Sequence, residues 1–257
     1  MPLNEQWVAF ISILSKEIRR FTRIWVQTLL PPAITMVLYF VIFGKLVGER
    51  IGEMGGHSYI NFVAPGLIMM SVLTNSYANV SSSFFSAKFS RSIEELLVSP
   101  ASNIVILFGY VMGGVARGLA VGVIVTIVAL CFTQIHVEHP VLTVFILLMT
   151  SMSFSLAGFI NAVYANSFDD VSIIPTFVLT PLTYLGGVFY SISLLGEFWQ
   201  TISLFNPILH MVNAFRYGFL GVSDTPIVFA VIGLMLLVVV LFFISLHLLA
   251  KGRRLRS

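Results

Sequence analysis

Long apolar runs broken by short polar segments occupy the chain from residue 24 to residue 250. A helix needs roughly 20 apolar residues to cross the hydrocarbon core of a bilayer, so each run is weighed as a span. The first, about Ile24 to Gly44, carries Pro31 and Pro32 near its start. Their missing N–H groups predict a kink whose freed carbonyls need other partners. A polar segment with Lys45, Glu49, Arg50, Glu53 and the glycines at 48, 52, 55 and 56 leads to the second run, about Tyr59 to Phe85. The third covers about Ile104 to Phe132 and the fourth about Val141 to Tyr164. A fifth, residues 171–190, is interrupted by Pro175, Pro181, Gly186 and Gly187, and a sixth covers about Pro226 to Ala250. Between these last two, Gly196, Asn206, Pro207 and Gly221 cut the chain into pieces too short to span singly. Irregular backbone is tolerated at membrane depth only against protein or water, which predicts a re-entrant hairpin over residues 191–223 on the outer side. The fold class expected is an all-α polytopic membrane protein of six transmembrane helices forming one domain over residues 1–257.

Ahead of the first run, Trp7, Phe10, Ile11, Leu14, Ile18 and Phe21 recur at helical spacing, while Lys16, Glu17, Arg19 and Arg20 lie off that stripe. The pattern predicts an amphipathic helix over residues 4–22 lying in the membrane interface. The segment lacks a basic start, a continuous apolar stretch and a small-residue cleavage site, so it reads as mature protein.

Composition sharpens this picture. Apolar residues make up 58% and charged residues 10%, and the mean hydropathy is +0.98; soluble domains carry about 25% charged residues. A water-soluble fold and a separate soluble domain are excluded. The net charge of +3 reflects topology rather than nucleic-acid binding. Ten of the fourteen Lys and Arg residues lie in the N-terminal segment, in the loop after the second run (Lys88, Arg91) or in the tail (Lys251, Arg253, Arg254, Arg256). The positive-inside rule then puts both termini and the loop at residues 86–103 in the cytoplasm. The lone cysteine, Cys131, reads as a small buried apolar residue.

No Gly-Lys-Ser or Gly-Lys-Thr occurs, so this chain has no P-loop for ATP. His136 and His139 flank Glu138, but at a spacing unsuited to a helical metal pair and with no third ligand nearby, so no metal is assigned. Neither a Ser, His and Asp arrangement nor a paired-carboxylate site stands out; Asp169 and Asp170 read as helix caps. Asn79-Val80-Ser81 matches a glycosylation triplet but falls inside a span, where it carries no meaning.

Arg117 lies midway along the third run, where a guanidinium requires a partner or a wet cavity. Gly109, Gly113, Gly114, Gly118 and Gly122 form a small-residue face around it that admits close helix approach. The second run carries Ser71, Thr74, Asn75, Tyr77, Asn79, Ser81, Ser82 and Ser83, more polar groups than a lipid-facing helix satisfies. Arg117, Thr74, Asn75, Asn79 and Ser81 are therefore candidates for a pathway or for interhelical hydrogen bonds. In the cytoplasmic loop, Phe89, Ile93, Leu96 and Leu97 share one helical face, Ser92 and Glu95 have capping-box spacing and Pro100 ends the pattern. Lipid headgroups, the bundle itself or a soluble partner protein could each cover that face.

Five segments carry a family resemblance: RFTRIWVQTLLPPAITMVLYFVIFG, FVAPGLIMMSVLTNSYANVSSSFF, FSRSIEELLVSP, PTFVLTPLTYLGGVFYS and NPILHMVNAFRYGFLG. With them the chain resembles, nearly end to end, the ABC-2 type permeases of bacterial inner membranes. The resemblance implies a homodimer of six-span subunits in that membrane, served by two copies of a separate P-loop ABC ATPase. ATP and magnesium would be bound by that partner, with no cofactor in this chain. It implies that Phe89, Arg91, Ile93, Glu94, Glu95, Leu96 and Leu97 form a coupling helix docking in the ATPase. It also implies that the segment from Ser191 to Tyr217 contributes an outer gate, for which Tyr184, Phe189, Asn206, Pro207 and Arg216 are candidates. ATP-driven closure of the ATPase pair would rock the subunits by alternating access and export an amphipathic or lipid-like cargo. An ion-coupled transporter or channel is the alternative, but it would usually show more intramembrane ionisable residues and often an internal repeat. An integral-membrane enzyme would need a cluster of catalytic groups at one membrane surface, and none is visible.

Overall fold

The computed structural model describes residues 3–134 and 137–252; His136, Arg253, Arg254 and Arg256 lie outside the described residues. α1 (Leu3–Arg23) is followed, after a break at Ile24, by α2 (Trp25–Ile51). α2 is interrupted at Leu29, immediately before Pro31 and Pro32, which occupy the first turn of the segment Leu30–Val41. The predicted kink is thus a helix restart, and at the earlier break at Ile24 the Thr28 hydroxyl donates to the Phe21 carbonyl at 2.8 Å. A π-helical turn, Ile42–Val47, carries α2 past the expected end at Gly44, and a two-stranded hairpin, Glu53–Met54 with His57–Ser58, fills the glycine-rich segment.

α3 (Tyr59–Phe89) is the longest element, with 31 residues, and forms the axis of the bundle. A short α4 (Ser92–Val98) leads to α5 (Asn103–Leu130) and α6 (Pro140–Tyr164). α3 packs against both of these and against α10 (Pro207–Leu220). The chain then passes through α7 (Phe168–Ile174), a π-helical turn (Pro175–Leu179), α8 (Thr180–Tyr184) and α9 (Glu197–Leu204) before α10, and ends in α11 (Ile227–Lys251).

Among the described residues, four helices, α2, α5, α6 and α11, are long and apolar enough to cross a membrane. Of the six expected spans, the second corresponds to α3, whose hydrogen-bonding side chains keep it out of that set. The fifth is three successive pieces of seven, five and five residues rather than one apolar helix. The expected hairpin resolves into an exposed α9 and a buried α10 joined at Asn206, whose Oδ1 accepts the Ile208 N–H at 3.0 Å. α10 packs against α3, α6 and α11.

The small-residue face of α5 is what the neighbours close on. A Cβ on Gly113 would lie 2.5 Å from the Glu17 Cβ, and one on Gly109 2.8 Å from that of Ile13. Gly114 and Gly118 face α3 and α6 at comparably short range. α1 is therefore seated on α5, burying Ile13, Glu17 and Phe21 and leaving Trp7, Ile11 and Ile18 outward. This corrects the sequence reading, which placed Glu17 and Arg20 on the polar side: the glycine groove of α5 turns the helix so that Glu17 is inside. Cys131 is exposed rather than buried, because it continues the outward row of Ile127 at the end of α5.

Candidate functional site

The polar centre of the bundle is assembled from three helices that the sequence separates widely. From α1, Glu17 is fully buried. Its Oε1 accepts the Ser83 hydroxyl at 2.6 Å, and its Oε2 lies 3.4 Å from Arg20 Nε as an ion pair. Arg20 Nη2 donates to Asn79 twice, to Oδ1 at 2.8 Å and to the carbonyl at 2.9 Å. One layer further into the bundle, Arg117 of α5 donates to Asn75 Oδ1 of α3 at 3.1 Å. A carboxylate inside such a bundle is tolerated because it is both paired and hydrogen-bonded.

Beside Arg117 and Asn75 lies a cavity of about 330 Å3 between α2, α3 and α5. Thr74 and Ser71 line its α3 side, and Pro31, Pro32 and Met36 its α2 side. The structure thus brings together Arg117, Asn75 and Thr74 of the candidate pathway residues. Asn79 lies outside the cavity lining and holds Arg20. Ser81 faces α6 instead, where a Cβ on Gly158 would sit 3.3 Å from its backbone nitrogen. Four hydroxyls of α3 donate back to a carbonyl of their own helix, Ser71 to Leu67 at 3.1 Å, Thr74 to Met70 at 2.8 Å, and Ser81 and Ser82 to Ala78, whereas Tyr59 and Ser83 donate to other segments. The polar character of the second run is therefore satisfied partly within its own helix and partly by Glu17, Arg20 and Arg117 of the neighbouring helices. Glu17 and Arg20 escaped the sequence reading; the spacing of Gly109 and Gly113 was the signal that a helix packs there.

At the end of α3 the chain turns through Ser90 and Arg91, which takes a left-handed conformation at φ 60°. Phe89 consequently ends α3 and does not share a helix with Ile93, contrary to the sequence reading. α4 begins without a side-chain cap, so the Ser92–Glu95 capping box does not form; the Ser92 hydroxyl donates to the Ala87 carbonyl instead at 3.2 Å. Ile93 is fully buried, and Leu96 and Leu97 pack on the same core. The bundle itself covers that face. Phe89 is exposed and meets Phe168 at a centroid distance of 5.2 Å, and Phe168 is exposed as well. Arg91 and Glu95 are also exposed, and Glu94 is half-buried. Phe168, which no sequence pattern singled out, completes the outward aromatic pair. Lys88 turns inward and donates to the Val163 and Ala165 carbonyls at 2.8 and 2.7 Å, capping α6. Gln6 of α1 reaches the loop between α4 and α5, donating to the Pro100 carbonyl at 3.1 Å and accepting the Ser102 N–H at 3.0 Å.

Residues proposed for the outer gate fall into three groups. Tyr184 stacks on Phe189 at 5.8 Å, and Phe189 in turn meets Phe43 of α2 at 4.8 Å. Asn206 caps α10, next to Pro207, and its Nδ2 donates to the Leu182 carbonyl at 2.6 Å. Arg216 is buried with 1% exposure and is a clasp. It donates to the Phe62 carbonyl at 3.2 Å, to Asn213 Oδ1 at 3.0 Å and to the Gly187 carbonyl at 2.6 Å. Gly187 sits at φ 67°, a left-handed conformation that turns the chain beneath the guanidinium. A cavity of about 470 Å3 adjoins Arg216 and Phe62, bounded also by Glu53, Ser191 and Asp224. Near it, Asp224 accepts the Ser191 hydroxyl at 2.7 Å and the Ile192 N–H at 3.2 Å. His139 stacks on Tyr217 at 5.0 Å.

An apolar helical exterior around one polar axis with a cavity at its midpoint is the construction of a multi-pass membrane transport protein. The chain belongs to the ABC-2 type transporter family, whose membrane model matches residues 8–220. It is 59% identical over 251 residues to the inner membrane transport permease YadH of Escherichia coli (strain K12), covering 98% of both chains. The same identity and coverage hold for YadH of Shigella flexneri. Nodulation protein J of Rhizobium leguminosarum bv. viciae is 24% identical over 216 residues, covering 84% of this chain and 83% of that one. The chain is thus the transport permease component of an inner-membrane ABC-2 system.

Proposed function

We propose that this chain is the membrane-spanning subunit of an ATP-binding cassette exporter that moves an amphipathic or lipid-like molecule by alternating access. Two copies of a separate P-loop ATPase bind ATP and magnesium and drive a pair of these permeases, the second copy of the chain completing the pathway. The observation that carries the reading is the exposed Phe89–Phe168 pair at the end of α3, beside the charged Arg91 and Glu95. Two exposed aromatic rings on a charged rim are the anatomy of a protein-docking surface.

The length of α3 supports the same orientation. Its 31 residues extend about 46 Å at 1.5 Å per residue, against a hydrocarbon core of about 30 Å. With Tyr59 near the outer boundary, Phe89 stands clear of the apolar layer on the cytoplasmic side. In the six-span topology α2, α3, α5, α6, the α7–α8 segment and α11 cross the bilayer, with both termini inside. α9 and α10 dip in from outside, and the Tyr184–Phe189 stack and the cavity beneath Arg216 belong to the outer gate. α4, whose following loop is tied to α1 through Gln6, transmits ATPase movement to the glycine face of α5.

Pull-down of the tagged permease from its host should recover a P-loop ATPase in stoichiometric amount. Phe89→Glu should reduce that recovery at least about tenfold, since hot-spot aromatics are worth 2 kcal/mol or more, while membrane insertion is unchanged. Undiminished co-purification with Phe89→Glu would remove the docking assignment. An intact, transport-competent permease that brings down no ATPase would refute the exporter reading and direct attention to ion-driven flux.

A further inference from the structure

We infer that the cavity between α2, α3 and α5 binds the anionic headgroup of an amphipathic molecule through the Arg117 guanidinium, an assignment of cargo class that rests on the transport reading above. The argument starts from charge. Among the described residues Glu17 is ion-paired to Arg20, and no carboxylate pairs with Arg117. Arg117 has one hydrogen bond, to Asn75, and its Nε donor is buried without a partner. Asn79 and Asn75, one turn apart on α3, hold Arg20 and Arg117 respectively, so the group of two guanidiniums and one carboxylate retains an unanswered positive charge. A guanidinium has five donors and no acceptor, and at mid-span it calls for a counter-charge. Phosphate and carboxylate match its planar fork with two parallel bonds.

Donor supply points the same way. The Thr74 and Ser71 hydroxyl protons go to helix carbonyls, as does the Thr28 hydroxyl proton on the opposite wall. Asn75 Nδ2 donates to the Ser71 carbonyl at 3.0 Å. Arg117 is left as the cationic donor facing the space. Apart from Gln27 and Thr35, the rest of the lining, with Pro31, Pro32, Met36 and Met70, is apolar, a surface for methylene groups rather than for a free ion. Gln27, Pro31, Thr35 and Thr74 are exposed at its rim, so the cavity opens on the surface of the bundle. At about 330 Å3 it stands at the small end of ligand cavities, about 300 to 1,000 Å3, which suits a headgroup and the first carbons of a chain whose remainder stays in lipid.

The test is a titration of the full-length permease, with whatever ATPase accompanies it, in phosphatidylcholine nanodiscs read by native mass spectrometry. Dodecyl phosphate should bind saturably and dodecyltrimethylammonium should not. Arg117→Ala should weaken dodecyl phosphate binding about tenfold or more, the loss expected for a charged hydrogen-bond pair. Thr35→Phe, which narrows the mouth and leaves every charge in place, should weaken it as well and decides the matter if Arg117→Ala does not fold. Equal affinity for the cation, or wild-type affinity in both variants, would overturn the assignment. Inorganic phosphate competing as well as dodecyl phosphate would overturn the amphiphile in favour of a free anion. A permease that retains its ATPase but fails this titration loses the anionic cargo and keeps the exporter reading. One that binds dodecyl phosphate without any ATPase keeps the site.

Discussion

Replacing Gly158 with leucine should prevent the bundle from closing. Gly158 lies on α6 where it crosses α3, and a Cβ there would sit 2.5 Å from the Tyr77 carbonyl oxygen, 3.2 Å from its carbon and 3.3 Å from the Ser81 nitrogen. All three are backbone atoms, so no rotamer change can make room and the two helices must separate. The contact they would lose holds Phe84 against Phe159 at 4.3 Å and buries both rings fully. Overpacking typically costs about 1–3 kcal/mol, and a rigid helix crossing puts this site at the upper end or beyond. Gly196→Leu is the control, since nothing lies within 4 Å of a Cβ there and the residue is exposed. In detergent, Gly158→Leu should elute as aggregate or show a strongly lowered unfolding midpoint while Gly196→Leu matches the parent. A monodisperse Gly158→Leu of parental stability would show that the helices are not locked at this crossing.

That crossing also explains how far the sequence could be read. Helix positions follow from hydrophobic runs because each run must satisfy its own backbone inside lipid, and the apolar run from about Val141 to Tyr164 duly appears as Pro140–Tyr164. Which face of a helix turns inward follows less directly, since an apolar stripe can be covered by lipid as well as by protein. On α1 the visible stripe of Trp7, Ile11 and Ile18 remains outward, and the buried row includes a carboxylate that no hydropathy pattern would place there. The glycines of α5 carried the missing information. Each marks a backbone surface another helix can reach, and Gly113 is where Glu17 arrives.

The candidate site divides along the same line. Arg117, Asn75 and Thr74 were legible because polar groups at mid-span are costly wherever they point, and they do converge on one cavity. The loop helix was misjudged because Phe89 and Ile93 are one helical turn apart by count, whereas the left-handed Arg91 breaks the periodicity between them. A positive φ at a non-glycine residue leaves no signature in a sequence pattern. Phe168 joins Phe89 across 79 residues of chain, and such a pairing exists only once α3 and α7 are placed side by side.

Arg216 offers the second large effect, and it separates a clasp from a gate. Its guanidinium bonds the Phe62 and Gly187 carbonyls and lies over the Phe62 ring at 3.8 Å, so it ties α10 to the start of α3 and to the glycine turn after α8. Arg216→Met fills similar space but leaves both carbonyls without that donor, at about 1–3 kcal/mol each, and should lower stability by about 3 kcal/mol in total. Arg216→Lys keeps the charge, yet a single ammonium cannot reproduce the planar fork or its stacking on the ring. The lysine variant should therefore behave more like the methionine variant than like the parent. Both should show earlier proteolysis within residues 191–223 and a lower unfolding midpoint in nanodiscs. Were Arg216→Lys as stable and as resistant as the parent, charge alone would account for the residue, and its role would be electrostatic rather than structural. The geometry favours the clasp, because a side chain at 1% exposure with three acceptors already in hand has few donors left to offer a passing solute.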